Sequence, residues 1–405
     1  DLQRTETLTF EFDGRKIQAY PGDTIASALH AAGIRILSRS FKYHRPRGLF
    51  CVSGNCPNCL VEVNDEPSVR SCMTPVCQGM VVRGQNAWPS VDRDILSMAD
   101  RFSGFLPPGF YYKRFHKPRW MWPIYEKVLR RIAGLGKLRL QNDKRDPQHG
   151  GDNGWEKEYH TADLTIVGAG PSGIAAAQEA ARLGISVVLI DEGTRPGGHL
   201  RAITRPLREP LEWAGHPGWE VAEQMVVELE KYSNVSIWTG AAAFGVYEDN
   251  LVGVLKGSRF IQLRTQHLLL ATGSIEQPYL FHNNDLPGIF LGRGARKLLN
   301  VQGVFPGRRV LVFGSHLESL SIACELLDAG VQVVGVVGVA CNISPDNPDL
   351  LYLKAEHVPI YPDWILAEAV GKKCVEAARI IRRSSIHVSG PEEQILHCDA
   401  ILVSV

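Results

Sequence analysis

The sequence predicts an N-terminal α+β domain followed by an α/β module with two dinucleotide-binding (Rossmann-type) halves. Three observations carry this. Residues 7–20 alternate apolar and polar around Asp13-Gly14, the pattern of a β-hairpin. An apolar strand from Leu164 runs into a glycine-rich turn and then an Ala-rich helix, which opens a βαβ unit. A second unit of the same kind begins near Arg309. At 405 residues the chain is long for a single ordinary core, so two or three domains are expected.

The elements follow in order. Pro21-Gly22-Asp23-Thr24 supplies a turn and an N-cap, and Ile25 to Ala32 reads as a short helix ended by Gly33. Leu60-Val-Glu-Val-Asn reads as a strand, with a turn at Asp65-Glu66-Pro67. Hairpin, helix, loop and strand within so short a stretch suggest a β-grasp, ferredoxin-like domain over residues 1–95. Residues 96–160 are expected to form a connector, ending in a polar, Gly-rich linker from Gln141 to His160. Residues 101–149 hold twelve Lys/Arg against three Asp/Glu, with aromatics interleaved. Such composition can bind nucleic acid, but no nucleic-acid fold signature accompanies it. Docking on neighbouring domains is the expected role. Residues 161–290 are assigned to the first dinucleotide-binding domain, rejoined by 390–405. Residues 291–389 are assigned to a second, degenerate Rossmann domain. Cys398-Asp-Ala-Ile-Leu-Val-Ser-Val resembles the strand that precedes the last motif of flavoproteins, which implies that the sequence as given ends inside a domain.

Composition excludes several classes. A net charge of +1 gives no global field for nucleic acid or an anionic membrane. No run approaches the roughly 18–20 apolar residues of a membrane span; the most apolar, Val331 to Ala340, has the length of a strand and a turn. Nine cysteines, clustered and then scattered, do not look like a secreted disulfide framework. A reducing, cytoplasmic setting is expected.

Four of those cysteines fall as Cys51-x4-Cys56-x2-Cys59-x12-Cys72. C-x4-C-x2-C with a more distant cysteine is the plant-type [2Fe–2S] pattern. Two irons need four thiolates, two each, and a tight loop can present three of them. Gly54 lets that loop curl close to the sulfides. Zinc is the main rival, but structural zinc usually pairs its cysteines as two C-x2-C knuckles, and one such pair exists here. Cys77 is read as a spare thiol.

The nucleotide site is predicted from Gly168-Ala-Gly170-Pro171-Ser172-Gly173, a G-x-G-x-x-G turn between strand and helix. Gly168 makes the turn, Gly170 admits the pyrophosphate, and Gly173 lets helix and strand pack. Asp191, with Glu192 beside it, ends the next strand roughly 20 residues on, where a carboxylate meets the ribose hydroxyls. Pro196-Gly197-Gly198 and Ala271-Thr272-Gly273 resemble stretches that wrap FAD in flavoproteins with two dinucleotide domains. FAD is therefore favoured, with NAD or another adenine nucleotide as alternatives. In the second unit Gly314 is followed by His316 and Ser319 where glycines would stand, and Glu318 adds negative charge. Tight NAD(P) binding is not expected there. His44 and His316 have no evident acid/base partner in the sequence.

Pro21-Gly-Asp-Thr-Ile-Ala-Ser-Ala-Leu29, Ser40-Phe-Lys-Tyr-His-Arg-Pro-Arg-Gly48 and Cys56-Pro-Asn-Cys-Leu-Val-Glu-Val63 add a further signal. So do Trp122 to Gly136, Asn284-Asp-Leu-Pro-Gly288 and Pro306-Gly-Arg-Arg309. In these stretches the chain resembles the alpha (A) subunits of heterooligomeric sarcosine oxidases. The proline, hydroxyproline and opine dehydrogenases and hydrogen cyanide synthase are relatives in the same group. The resemblance implies an electron-transfer subunit of an enzyme that oxidises a secondary amine or imino acid. Its partner would be an FAD-containing beta subunit, with small further subunits, an FMN at a subunit interface and an electron acceptor. In the oxidases proper the corresponding loop lacks the cysteines, so their presence here points to a dehydrogenase using a one-electron carrier. The oxidase chain also continues into a folate-binding half beyond the point where this sequence stops. The rival reading is a self-contained FAD-dependent NAD(P)H:acceptor reductase.

Overall fold

The computed structural model describes residues 5–101, 117–132, 156–314, 316–338, 343–385 and 392–405. The chain divides into two compact units, one of residues 1–139 with 276–405 and one of residues 140–275.

The first unit opens with a five-stranded sheet. Its strands are β1 (Leu8–Phe12), β2 (Arg15–Ala19), β5 (Leu60–Val63), β6 (Glu66–Arg70) and β7 (Val81–Gly84), in the order β2-β1-β7-β5-β6. The β1–β2 hairpin turns at Asp13-Gly14, both at positive φ, as the sequence predicts. Helix α1 (Ile25–Ala31) crosses over, and Thr24 caps it: its side chain accepts from the Ser27 amide while Ser27 Oγ accepts from the Thr24 amide. The short hairpin β3 (Ser38–Arg39) and β4 (Pro46–Arg47) follows α1. The expected turn at Asp65-Glu66-Pro67 is corrected. The turn is Asn64-Asp65, both at positive φ, and Glu66-Pro67 already belongs to β6. β6 is the sheet's edge strand, where a proline's missing N–H is tolerated.

The same unit contains a parallel sheet of β14 (Ile289–Leu291), β15 (Arg309–Phe313), β16 (Gln332–Val337), β17 (Ile360–Tyr361) and β21 (Ala400–Val403), in the order β14-β21-β15-β16-β17. Three antiparallel strands, β18 (Trp364–Val370), β19 (Ala377–Arg382) and β20 (Glu393–His397), pack on it through Trp364, Leu366, Ile380, Phe313 and Val403. This corrects two assignments. Residues 276–290 and 392–405 fall in this unit, where β14 and β21 pair with each other and β21 pairs with β15. One continuous core, running from Phe10 and Leu29 through Phe290 and Leu298 to Leu402, joins the β-grasp sheet to this Rossmann sheet. Of the expected connector, residues 102–116 and 133–155 lie outside the described residues. The described part includes helix α2 (Trp122–Ile132).

The second unit is a six-stranded sheet of β8 (Glu156–Val167), β9 (Val187–Ile190), β10 (Val235–Trp238), β11 (Ala241–Tyr247), β12 (Leu251–Lys256) and β13 (Arg259–Leu270). Its order is β10-β9-β8-β13-β12-β11, parallel from β10 to β13 with β11 and β12 added as an antiparallel meander. β8 starts at Glu156, so the last residues of the predicted linker are strand. Helices α3 (Pro171–Arg182) and α4 (Gly218–Leu229) complete the unit, and Ile174, Ala177 and Leu229 pack against Ile166 and Leu189. The chain order reverses between β8 and β13, and ligands bind outside the carboxyl ends of strands at such a switch point.

Candidate functional site

The cluster loop is shaped by Val52 and Gly54, both at positive φ. A β-carbon on Gly54 would sit 2.9 Å from Met73 Cγ, and Arg70 Nη1 donates to the Gly54 carbonyl at 3.2 Å. Ser71 ties the segment after β6 to the loop: its amide and hydroxyl both donate to the Cys59 carbonyl, at 3.2 and 2.6 Å. Cys51, Cys59 and Cys72 are buried and Cys56 is partly exposed.

The four thiols contact one another. Cys51 hydrogen-bonds with Cys56 and Cys72, and Cys72 also bonds with Cys59. Those bonds hold the Cys51 thiol well below its usual range and Cys59 at about 7, while Cys56 and Cys72 are pushed up as the donors. Among the described residues no group of three or more His, Cys, Asp or Glu side chains closes around a single ion. Two irons need thiolates in pairs. Bonded neighbours Cys51–Cys56 and Cys59–Cys72 fit that demand. Cys77 is exposed.

The loop rests on helix α5 (Gly292–Asn300), which the sequence reading did not connect to the cluster. The Leu291 amide donates to the Phe50 carbonyl at 3.0 Å, and a β-carbon on Gly294 would lie 2.6 Å from the Cys51 carbonyl oxygen. The available signal was two glycines in one helix, Gly292 and Gly294, which implies a close backbone approach.

Glu276 Oε2 accepts the Arg293 amide at 2.9 Å in the first turn of α5, and its Oε1 is buried without a hydrogen bond. Burial, reinforced by the Glu318 charge and opposed by Arg293 and Arg296, raises its carboxyl to about 7. The folded state therefore binds the proton more tightly than the unfolded state. Stability contributed by protonated Glu276 is present at low pH and is lost as pH rises from about 4.5 to about 7. Urea unfolding between pH 5 and 8 should show a steeper loss in the wild type than in Glu276→Gln; equal slopes would refute this.

In the second unit the four predicted stretches meet at the switch point. The Gly168 amide donates to the Ile190 carbonyl at 2.8 Å, the Ala271 amide to Val167 at 2.7 Å and the Gly197 amide to Ala169 at 2.7 Å. A β-carbon on Gly168 would collide with the Ala271 carbonyl, and one on Gly173 with the Gly168 carbonyl. Gly170 differs: a β-carbon there would meet nothing within 4 Å. Packing within the chain thus explains Gly168 and Gly173. Gly170 leaves open space at the start of α3, where a diphosphate is accommodated by helix N-termini. Pro171 and Ser172 open that helix, and Gly198 approaches it, since its β-carbon would sit 2.9 Å from Gly170 Cα.

Asp191 also holds the loop itself. Its Oδ2 accepts the Ala169 amide and its Oδ1 the Gly193 amide, both at 2.7 Å, so both oxygens already brace the glycine-rich loop. Glu192 is exposed beside it, as are Thr272 and Gly273. His44 departs from the sequence reading, because its Nδ1 lies 2.8 Å from Asp94 Oδ2. Fifty residues separate the two, so no local motif marks the pair.

Fold and site together define a dinucleotide-binding oxidoreductase joined to a ferredoxin-like cluster domain. The chain belongs to the pyridine nucleotide-disulphide oxidoreductase family, whose model matches residues 162–405, and residues 5–87 match the 2Fe-2S iron-sulfur cluster binding domain. It is 38% identical over 355 residues to the alpha subunit of sarcosine oxidase from Rhizobium meliloti (strain 1021), covering 83% of this chain and 34% of that protein. It is 32% identical to an opine oxidase subunit of Agrobacterium tumefaciens (strain Ach5), covering 44% of this chain and 37% of that protein. The crystal structure of L-proline dehydrogenase from P. horikoshii shares the fold, with a TM-score of 0.65 at 23% identity over 99% of this chain and 60% of that one. The chain spans about a third of the length of the curated relatives it matches. The two modules support a [2Fe–2S] cluster and FAD as cofactors. Among the described residues no helix is long and apolar enough to cross a membrane.

Proposed function

We propose that this chain is the electron-transfer subunit of a multi-subunit, flavin-dependent dehydrogenase or oxidase acting on a secondary amine or imino acid. Sarcosine, proline, hydroxyproline and opines are the substrate types. The observation that carries the reading is the meeting of Cys51, Cys56, Cys59 and Cys72 in a chain that also holds a dinucleotide-binding fold. These four residues would ligate the cluster. Gly168, Gly170, Pro171, Ser172, Gly173, Asp191, Glu192, Gly197, Gly198 and Ala271-Thr272-Gly273 would hold the dinucleotide, with Asp191 also bracing the loop. A flavin converts a two-electron hydride into single-electron steps that an iron–sulfur centre accepts.

Substrate oxidation is assigned to a flavin-containing partner subunit, in keeping with the relatives' designation as subunits. The setting is cytoplasmic. The rival NAD(P)H reductase requires an intact second fingerprint. There, His316 and Ser319 stand where the second and third glycines would be.

Native purification with a subunit gel and an absorbance spectrum tests the assignment. A second, flavin-containing polypeptide should co-purify with this chain. A lone polypeptide that oxidises NAD(P)H by itself would overturn the reading.

A further inference from the structure

A cleft of about 410 Å³ lies in the first unit between the β3–β4 hairpin, residues 92–100 and the Lys372-Lys373 turn. That size suits a small ligand. Its wall is polar yet buried: Arg39, His44 and Asp94 are 7%, 2% and 6% exposed. Arg39 donates from Nε and Nη2 to the Val91 carbonyl, at 2.9 and 2.7 Å, and from Nη1 to the His44 carbonyl at 2.9 Å. Asp94 Oδ1 accepts the Trp88 and Leu96 amides while Oδ2 meets His44 Nδ1. The ring is thus locked, leaving Nε2 as its remaining polar atom. His44 also holds φ of 54°, a conformation that non-glycine residues adopt at a cost.

The charge on this cleft is unbalanced. All three lining carboxylates are engaged: Asp92 with Arg15 at 3.2 Å, Asp94 with His44, and Asp100 with Arg45 at 3.0 Å. Five cations line the same space. Among the described residues Arg93 and Lys372 have no acidic partner, and Lys373 donates to the Asp92 carbonyl at 3.2 Å. A buried, pre-organised wall with surplus cations at its mouth is complementary to an anion.

We propose that this cleft binds a small organic dianion, a phosphate monoester or a dicarboxylate, at Arg93, Lys372, Lys373 and the edge of His44. The site is separate from the cluster cysteines and from the glycine-rich loop. It stands whether or not the chain transfers electrons.

Calorimetric titration of the full chain with inorganic phosphate and separately with malonate tests this. The variants are Lys372→Gln/Lys373→Gln and Arg93→Gln, exposed positions that leave the wall intact, and Gly170→Val, which blocks the other phosphate-accepting loop. One binding event should persist in Gly170→Val and weaken about tenfold in the double lysine variant, with a further loss at raised salt. Tighter phosphate binding would assign the monoester class, and tighter malonate binding the dicarboxylate class. Absence of binding, or binding abolished by Gly170→Val and unchanged in the lysine variant, would overturn the proposal.

Discussion

Cys72→Ser is expected to abolish the rhombic EPR signal of the reduced cluster, while Cys77→Ser leaves it intact. Cys72 is the hub of the thiol group, bonded to both Cys51 and Cys59 and buried to 1% exposure. Its replacement removes one of the two thiolates that would hold an iron. Changes to residues that merely orient a metal ligand already cost about 10–100-fold in affinity, so loss of the ligand itself should leave no measurable occupancy. Cys77 lies five residues on but is exposed. Iron and sulfide analysis of the two purified variants checks the pair. Normal iron in Cys72→Ser, or lost iron in Cys77→Ser, would reassign the fourth ligand.

Substitution of Gly170 and of Gly173 should separate binding from folding. Gly170→Val adds bulk where the chain itself offers no obstacle within 4 Å. Thermal stability without the dinucleotide should hardly change, while bound FAD falls by at least about tenfold, because the side chain fills the space the diphosphate would occupy. Gly173→Val drives a side chain into the Gly168 carbonyl. Overpacking of that kind costs about 1–3 kcal/mol or more, and it should lower the melting temperature of the apoprotein. Flavin content against melting temperature distinguishes them. Equal destabilisation by both substitutions would show that Gly170 also serves internal packing.

Local chemistry made much of this legible in advance. The Asp13-Gly14 hairpin, the Thr24 cap and the β8–turn–α3 fingerprint are each written in a few adjacent residues, and each stands where its pattern places it. The cysteine spacing likewise identified the thiols that converge. Features that depend on distant partners were not legible. Assignment of β21 to the second sheet follows from pairing with β14 and β15, about ninety or more residues upstream. Asp191 reads as a ribose ligand from its position; its hydrogen bond from the Ala169 amide appears only when the loop folds back. Glu318 looked repulsive in isolation, yet Arg293 at 3.1 Å and Arg296 at 3.2 Å neutralise it. The meeting of Gly294 with the Cys51 carbonyl joins elements more than two hundred residues apart.

The most direct test of the central claim is EPR of the purified native complex, frozen after anaerobic addition of sarcosine, proline, hydroxyproline or an opine. One of these amines should produce the rhombic reduced [2Fe–2S] signal without any added reductant, and Cys72→Ser should not show it. A cluster that dithionite reduces but that none of these amines reduces would contradict the assignment of this chain to amine-derived electron transfer.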